Sequence, residues 1–316
     1  MAGLRDLIGR LFGRRRETAR DLDDTTNSHI QDILGYQLVS EGRYAEAVEQ
    51  FDKALELDAH DKDSWSGKGL CLWHMNRLEE AVRCLDTALE LDPRDGSSWY
   101  IKGLCQLQTR RFEQALGCFD KAVELDPEDV QAWCMKGKCF GEIGRESEAL
   151  DCFDRAIELD PGEGLAWQLK GSLLVRQDRF SEALPCLDKA TEADPDDGTA
   201  WGLRGAALLY LERYEKALQS YDRAVELEAT DADVWWGKAV CLPCLGRLAE
   251  AHECAVRSVQ LDPSGECGWY NKACIEDLLG YPAEAAASYE RFLELADFEQ
   301  DAKEIAHARQ RLSELS

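Results

Sequence analysis

Tryptophan recurs at one fixed interval along most of the chain, and this spacing constrains the fold more than any other feature. Seven of the nine tryptophans each follow the previous one by 34 residues: Trp65, Trp99, Trp133, Trp167, Trp201, Trp235 and Trp269. Equal intervals without an insertion or deletion indicate an internal repeat. A repeat of this length is one supersecondary unit that buries its apolar face against its neighbours.

Glycine, alanine and proline follow the same period. One position of each unit holds a small residue: Gly35, Gly69, Gly103, Gly137, Gly171, Gly205, Ala239 and Ala273. Another holds alanine: Ala47, Ala81, Ala115, Ala149, Ala183, Ala217, Ala251 and Ala285. Proline ends five units: Pro93, Pro127, Pro161, Pro195 and Pro263. The pattern divides residues 28–299 into eight units: 28–61, 62–95, 96–129, 130–163, 164–197, 198–231, 232–265 and 266–299.

Each unit is predicted to contain two helices. In unit 62–95, Trp65, Gly69 and Leu72 fall on one helical face. The second half repeats the pattern with Leu78, Ala81, Leu85, Ala88 and Leu89. The break between the halves often carries a glycine, which is suited to ending a helix: Gly42, Gly144, Gly246 and Gly280. An aspartate before the next unit can cap its first helix: Asp61, Asp95, Asp129, Asp197 and Asp231. The small residues would let the paired helices approach closely, while the tryptophan and a large apolar residue fill the space between them.

These residues resemble the tetratricopeptide repeat, which has the same period and the same order of Trp, Gly, Ala, aromatic and Pro positions. The resemblance covers residues 28–299 and implies an all-α fold. That fold is a right-handed α-solenoid superhelix of eight helix-turn-helix repeats. Ile305, Ala308, Leu312 and Leu315 form one apolar face. We therefore expect residues 300–316 to be a C-terminal capping helix.

A cation stands where the family usually has leucine, just before the small residue: Lys68, Lys102, Lys136, Lys170, Arg204, Lys238 and Lys272. Aspartate recurs at another position: Asp52, Asp86, Asp120, Asp154, Asp188 and Asp222. We interpret the two series as a ladder of ion pairs that helps neighbouring units keep register. A binding site for an anionic ligand is the alternative interpretation of the cations.

The resemblance also implies a partner-binding face, because the first helix of each unit lines the concave side of such a superhelix. The positions that face inward predict these partner-binding residues: Tyr36, Leu70, Trp73, His74, Tyr100, Leu104, Leu107, Gln131, Lys138, Gln168, Val175, Arg176, Tyr210, Trp236, Val240 and Tyr270. Trp73 and Trp236 lie outside the tryptophan series, and exposed aromatic residues in a groove are typical binding anchors. The alternative for both is packing against neighbouring units.

Net charge limits the partner. The formal charge is −25, and a chain of this charge is repelled by nucleic acid. We therefore expect a scaffold or adaptor that binds a protein or peptide with apolar anchors and basic character. No phosphate-binding loop, zinc-protease motif or nucleophile elbow occurs, so we expect neither catalysis nor a cofactor.

Thirteen cysteines in a long chain without a secretion signal predict free thiols and a cytoplasmic location. Nine of them follow the repeat and are interpreted as small packing residues. The other four fall on presumed concave positions: Cys134, Cys244, Cys267 and Cys274. They leave open a metal- or redox-responsive module, although we expect no bound metal.

The first 27 residues differ from all the rest. Residues 1–20 carry six arginines against Asp6 and Glu17. Leu4, Leu7, Ile8, Leu11 and Phe12 would line one face of a helix. This pattern is typical of a basic amphipathic helix that contacts a membrane surface or a partner through residues 4–16. The alternatives are a helix docked on the first repeat and a disordered tail, with residues 21–27 as a polar linker.

Overall fold

The computed structural model describes residues 25–227, 231–297 and 301–315, with side chains from Ser28 onward. These residues form seventeen α-helices and no β-strand, which confirms the all-α prediction. In chain order the helices are α1 Thr25–Ser40, α2 Tyr44–Leu57, α3 Lys62–His74, α4 Leu78–Leu91, α5 Gly96–Gln108, α6 Phe112–Leu125, α7 Val130–Glu142, α8 Glu146–Leu159, α9 Gly164–Arg176, α10 Phe180–Ala193, α11 Gly198–Tyr210, α12 Tyr214–Glu226, α13 Ala232–Cys244, α14 Leu248–Leu261, α15 Glu266–Leu279, α16 Pro282–Leu295 and α17 Ala302–Leu315.

The chain divides into two compact units, one ending at Pro161 and the other beginning at Gly162. Unit 1 contains α1–α8, and unit 2 contains α9–α17. Within each unit, every odd-numbered helix up to α15 packs as a hairpin against the even-numbered helix that follows it. We call these the first and second helix of a hairpin. Consecutive hairpins within a unit also pack against each other, so each unit is a short solenoid of helical hairpins.

The turn inside each hairpin needs one residue with left-handed backbone. Four turns use the predicted glycines, Gly42, Gly144, Gly246 and Gly280, with φ between 73° and 78°. The equivalent residue in the other turns has a side chain: Asn76, Arg110, Asp178 and Glu212, with φ between 56° and 59°. A left-handed residue with a Cβ costs about 1–2 kcal/mol. The packed hairpin imposes this conformation whether or not glycine is present.

The predicted aspartate caps are confirmed. The side chains of Asp61, Asp95, Asp129, Asp197 and Asp231 each accept a hydrogen bond from a backbone N–H in the first turn of the following helix. Glu163 caps α9 in the same way. Such a cap contributes about 1 kcal/mol because it satisfies an N–H group that has no partner within the helix.

A large buried side chain on the second helix fills the space left by small residues on two first helices. Phe51 is fully buried. A Cβ added at Gly35, in the same hairpin, would lie 2.7 Å from the Phe51 ring, and one added at Gly67, in the next hairpin, would lie 2.4 Å away. Tyr221 lies between Gly205 and Gly237 in the same manner. The small residues therefore permit the close helix approach that the repeat pattern predicts.

Several periodic tryptophans pack against the core as expected, and five of them have a second role. They are only partly buried, and the indole Nε1–H of Trp99 donates to the backbone oxygen of Pro93 at 3.0 Å. Four others donate to the equivalent oxygen six residues earlier at 3.0–3.1 Å: Trp65, Trp133, Trp201 and Trp269. In these five hairpins the bond ties the first helix to the loop before it, so these tryptophans fix the junction with the preceding hairpin.

The predicted ion-pair ladder joins neighbouring hairpins. The Lys102 Nζ lies 2.6 Å from the Asp86 carboxylate of the previous hairpin and 5.1 Å from the Trp99 ring centroid. Equivalent ion pairs join Lys68–Asp52, Lys136–Asp120, Arg204–Asp188 and Lys238–Asp222. The cations are partly buried and the carboxylates about half exposed, so each pair contributes about 0–1 kcal/mol and sets register more than stability.

Helix α17 covers the last hairpin. Ile305 and Ala308 are buried against Tyr289 and Phe292 of α16, and Leu312 and Leu315 pack around them. The Arg311 guanidinium forms two hydrogen bonds of 2.6–2.7 Å with the Asp277 carboxylate of α15. Without α17, this apolar surface of unit 2 would be open to water.

One acidic pair lies between the first two hairpins. Asp32 on α1 is 5% exposed, and its carboxylate accepts a hydrogen bond from Ser64, which also lies 3.1 Å from Asp61 Oδ2. Burial, together with the hydrogen bond to Asp61, raises the pKa of the Asp32 carboxyl to about 8. Asp32 therefore keeps its proton at a pH where an ordinary aspartate has lost it.

We expect this proton to make stability depend on pH. Between about pH 4 and pH 8 the folded chain holds a proton on Asp32 that the unfolded chain releases, so stability falls as pH rises through this window. Asp32→Asn should remove the effect. Denaturant unfolding should show the difference between wild type and variant changing by up to about 1.4 kcal/mol per pH unit. Glu90→Gln, at an exposed residue, should keep the wild-type slope, and equal slopes for all three proteins would contradict the assignment.

Candidate functional site

All sixteen predicted partner-binding residues lie on first helices. Unit 1 carries Tyr36 on α1, Leu70, Trp73 and His74 on α3, Tyr100, Leu104 and Leu107 on α5, and Gln131 and Lys138 on α7. Unit 2 carries Gln168, Val175 and Arg176 on α9, Tyr210 on α11, Trp236 and Val240 on α13, and Tyr270 on α15. Successive first helices contact each other within each unit. Each unit therefore has its own layer of first helices, which we call its first-helix layer.

In unit 1, several of these residues are used in packing. The Tyr36 hydroxyl donates to the Asp63 backbone oxygen at 2.8 Å, and its ring meets Phe51 edge-on at 5.1 Å between centroids. Leu70 is fully buried, so it belongs to the core and offers no surface to a partner. Trp73 is half-buried and packs against the same cluster as Leu70, as the alternative of packing against neighbouring repeats predicts.

Stacked rings mark the end of two first helices. His74 stacks on Tyr44 with centroids 4.2 Å apart, and Tyr210 stacks on Phe180 at 4.4 Å. Both pairs join residues 30 positions apart: the start of one second helix and the end of the next first helix. Sequence reasoning missed Tyr44 and Phe180 because it considered first helices alone. The sequence does contain the signal, which is a pair of aromatic residues 30 positions apart.

The rest of the unit 1 layer is mixed in character. Leu104, Leu107 and Gln131 are half-buried, Tyr100 meets Phe119 edge-on, and Lys138 is exposed. These residues present short apolar and polar surfaces rather than a continuous apolar groove.

Unit 2 places its predicted residues in varied surroundings. Gln168 donates to the Asp197 carboxylate at 2.6 Å, and Tyr270 contacts His307 of α17 through a hydroxyl–Nδ1 distance of 3.1 Å. The ring of Tyr270 lies 5.0 Å from that of Phe292. The remaining predicted residues of α9 and α13 are half-buried or, for Arg176, exposed: Val175, Arg176, Trp236 and Val240.

Tyr210 is the most exposed aromatic residue among those predicted, with 55% of its surface accessible. Burial raises the pKa of Tyr210, and the negative charges of Asp178 and Asp233 raise it further. Asp233 and Cys267 lie at the start of α13 and α15, the next two first helices after α11, which carries Tyr210. We call Tyr210, Asp233 and Cys267 the Tyr210 patch. Sequence reasoning omitted Asp233, although it occupies an inward-facing position of its 34-residue repeat.

All thirteen cysteines are free thiols in the structure. Cys134 is fully buried, so it does not lie on an accessible face as expected. Cys244 and Cys267 are exposed. Partial burial and the neighbouring Glu266 carboxylate raise the pKa of the Cys267 thiol to about 11. The thiolate, which is the form that binds metal or attacks a disulfide, is therefore scarce near neutral pH. In the described part of the chain, no three His, Cys, Asp or Glu side chains form a group that could hold a metal ion.

The basic stretch of residues 4–16 lies outside the described residues. Among those that the structure describes, no helix combines the length and apolar character needed to cross a membrane.

Comparisons with known proteins agree with the repeat pattern. Three sequence profiles, each described as tetratricopeptide repeat, match the chain: one at residues 106–164, 169–234 and 204–266, one at 38–105 and one at 268–298. Comparison with curated proteins gives no match.

Solved structures show the same fold. The Cut9–Hcn1 hetero-tetramer of the APC/C matches with 16% identity and a TM-score of 0.64, over 89% of this chain and 54% of that one. Pseudomonas aeruginosa pilF matches with 17% identity and a TM-score of 0.61, over 67% and 97%. Yeast Tom70 matches with 20% identity and a TM-score of 0.52, over 98% and 69%. Together with the sequence profiles, the hairpins show that this chain belongs to the tetratricopeptide repeat family.

Proposed function

We propose that the chain is a scaffold that binds a protein segment on the first-helix layer of unit 2, with the Tyr210 patch as its anchor. The role is one of binding rather than catalysis. The observation that carries this proposal is the exposure of Tyr210. A tyrosine ring that is rigidly stacked on Phe180 and still 55% exposed presents apolar area at little entropic cost, as binding anchors do.

The chemistry of the partner follows from the surroundings of Tyr210. Trp236 and Val240 are half-buried apolar residues on α13, which packs against α11, and Asp233 supplies negative charge on the same helix. The whole chain carries −25, so a cationic segment is attracted to it over long range. We therefore propose a peptide or helix with apolar anchors next to lysine or arginine. The partner sites predicted in unit 1 remain part of the proposal as weaker contacts, apart from the buried Leu70.

Peptide selection on the full chain tests the proposal. We expect recovered peptides to combine apolar residues with lysine or arginine. Tyr210→Ser should weaken the binding of such a peptide by about 10- to 100-fold, as loss of an aromatic hot spot does. Tyr281→Ser is the matched control, because Tyr281 is a 44% exposed tyrosine at the start of a second helix. The affinity of the Tyr281→Ser variant for the peptide should stay within about twofold of that of wild type.

Isothermal titration of one selected peptide against the three proteins gives these affinities. Equal binding to wild type and Tyr210→Ser would reject the anchor role of Tyr210. Selection of acidic peptides would reject the proposed partner chemistry.

A further inference from the structure

Helix α1 exposes three large aliphatic side chains on one face. Ile30 is 41% exposed, Ile33 61% and Leu34 41%. We call these residues the α1 stripe. Their spacing of three and four residues places them side by side along the helix. A contiguous exposed aliphatic patch of this kind typically marks a surface that another structural element covers.

The equivalent positions in later hairpins show which element belongs on this face. The position of Ile30 is buried in five hairpins that follow another hairpin in the same unit, at Ser64, Ser98, Ala132, Ala200 and Val234, and it is partly buried at Gly268 in the last hairpin. The position of Ile33 corresponds to Gly67, which lies against Phe51, and to Gly237, which lies against Tyr221. Both partners are on the second helix of the preceding hairpin. The α1 stripe is therefore the face that a preceding second helix would cover.

The third residue of the stripe differs in kind from its counterparts. The position of Leu34 holds a lysine or arginine in every later repeat. That cation pairs with a carboxylate of the preceding hairpin in five described cases, at Lys68, Lys102, Lys136, Arg204 and Lys238. At α1 the cation is replaced by leucine. This replacement removes the pairing group and supplies an apolar contact, so α1 is adapted to an apolar neighbour that is not another repeat.

The segment directly before α1 has matching chemistry. Leu4, Leu7, Ile8, Leu11 and Phe12 recur at helical spacing. Twelve residues separate Phe12 from Thr25, and such a linker reaches up to about 40 Å, longer than the roughly 24 Å of α1. Residues 1–20 carry a net +4, while the rest of the chain carries −29. Length, pattern and charge all permit this segment to fold back on α1.

We propose that residues 4–12 form a helix that packs on the α1 stripe and takes the place of a preceding second helix. The chain already protects its other end in this way, because α17 buries Ile305 and Ala308 against the last hairpin. The occupant is this chain's own segment. A second copy of the chain and a lipid surface are the competing occupants of these apolar residues.

Hydrogen exchange of the full-length chain tests the proposal. In Leu7→Asp/Leu11→Asp, amides of α1 should exchange about tenfold faster or more, because the apolar cover is lost. Exchange in α5 and α6 should not change. Arg5→Asn/Arg10→Asn is the matched control, since it changes the net charge by the same −2 but leaves the five apolar residues in place. Its exchange in α1 should stay within about twofold of wild type.

Ile33→Asp provides the reciprocal test from the other side of the contact. It should accelerate exchange in α1, and adding it to the leucine double variant should cause little further change, because the contact is already lost. Sedimentation at two concentrations is run on every protein. Unchanged α1 exchange in the leucine variant would overturn the proposal. So would a wild-type dimer that this variant dissociates, which would assign the stripe to a second copy. If the effects of Ile33→Asp and of the leucine double variant on α1 exchange are fully additive, and the leucine variant also loses binding to vesicles, then residues 4–12 bind lipid instead.

Discussion

Replacing Lys272 with methionine should lower the free energy of unfolding by about 3–5 kcal/mol, because it leaves a buried carboxylate without its cation. Glu276 is 1% exposed. Its two carboxylate oxygens accept hydrogen bonds from Lys272 at 2.5 Å and Ser288 at 2.7 Å, and His252 lies 3.2 Å away. These contacts, and Lys272 most of all, hold the pKa of Glu276 below its usual range despite its burial.

This arrangement is a local departure from the repeat. The ladder aspartate is missing before the last hairpin, where Val256 stands at the position of Asp222. Lys272 therefore pairs within its own helix, with Glu276. The two preceding repeats have Leu208 and Leu242 at the position of this glutamate.

The matched control is Lys238→Met, one repeat earlier. Lys238 is as buried as Lys272, but its partner Asp222 is 50% exposed and remains hydrated when the lysine is lost. The control should therefore cost about 1 kcal/mol or less. Lys272→Met/Glu276→Leu should recover most of the lost stability, because it removes the buried charge. Chemical denaturation measures all three variants, and equal losses for the two lysine variants would contradict the argument.

Gly237→Ala should destabilise unit 2 by about 3 kcal/mol, at the upper end of the usual cost of overpacking. A Cβ at this position would lie 2.3 Å from Tyr221 Cζ and 2.4 Å from its hydroxyl oxygen. Tyr221 is 2% exposed, and Gly205 holds its ring from the other side. The ring has little room to move away, so the backbones of neighbouring hairpins must separate.

The same substitution should have the opposite sign at Gly117. This glycine is in the middle of α6, and an added Cβ would meet no atom within 4 Å. Gly117→Ala should therefore stabilise the chain by about 0.5–1 kcal/mol through helix propensity. Tyr221→Leu should reduce the penalty of Gly237→Ala, since Leu187 and Leu203 occupy the equivalent positions one repeat earlier. Thermal and denaturant unfolding test the series, and a stabilising effect of alanine at both glycines would refute the packing argument.

Much of this fold was predictable because every copy of the repeat carries the same residues at the positions that determine its structure. Small residues such as Gly205 mark close helix approach, aspartates such as Asp129 mark helix starts, and glycines such as Gly144 mark left-handed turns. Each is a local rule of backbone geometry, and the period shows where it applies. The lysine–aspartate ladder was predictable for the same reason, because two opposite charges kept step with the period.

The site was less predictable, because a unit position does not determine exposure. Leu70 and Tyr210 both occupy inward-facing positions, yet Leu70 is fully buried and Tyr210 is 55% exposed. The difference depends on the neighbours that each hairpin presents, such as Phe180 beneath Tyr210. The hydrogen bond of the tryptophans was also not predicted, because the contact between the indole and the loop before the helix is visible only in three dimensions.

The sequence by itself determined the helical hairpin, its length, its turn and its caps, since these depend on residues near one another in the chain. Only the tertiary structure decided which side chains remain exposed on the first helices, how Lys272 finds a partner, and that the α1 stripe is left open among the described residues. Those outcomes depend on contacts between helices, which join residues about 16–37 positions apart.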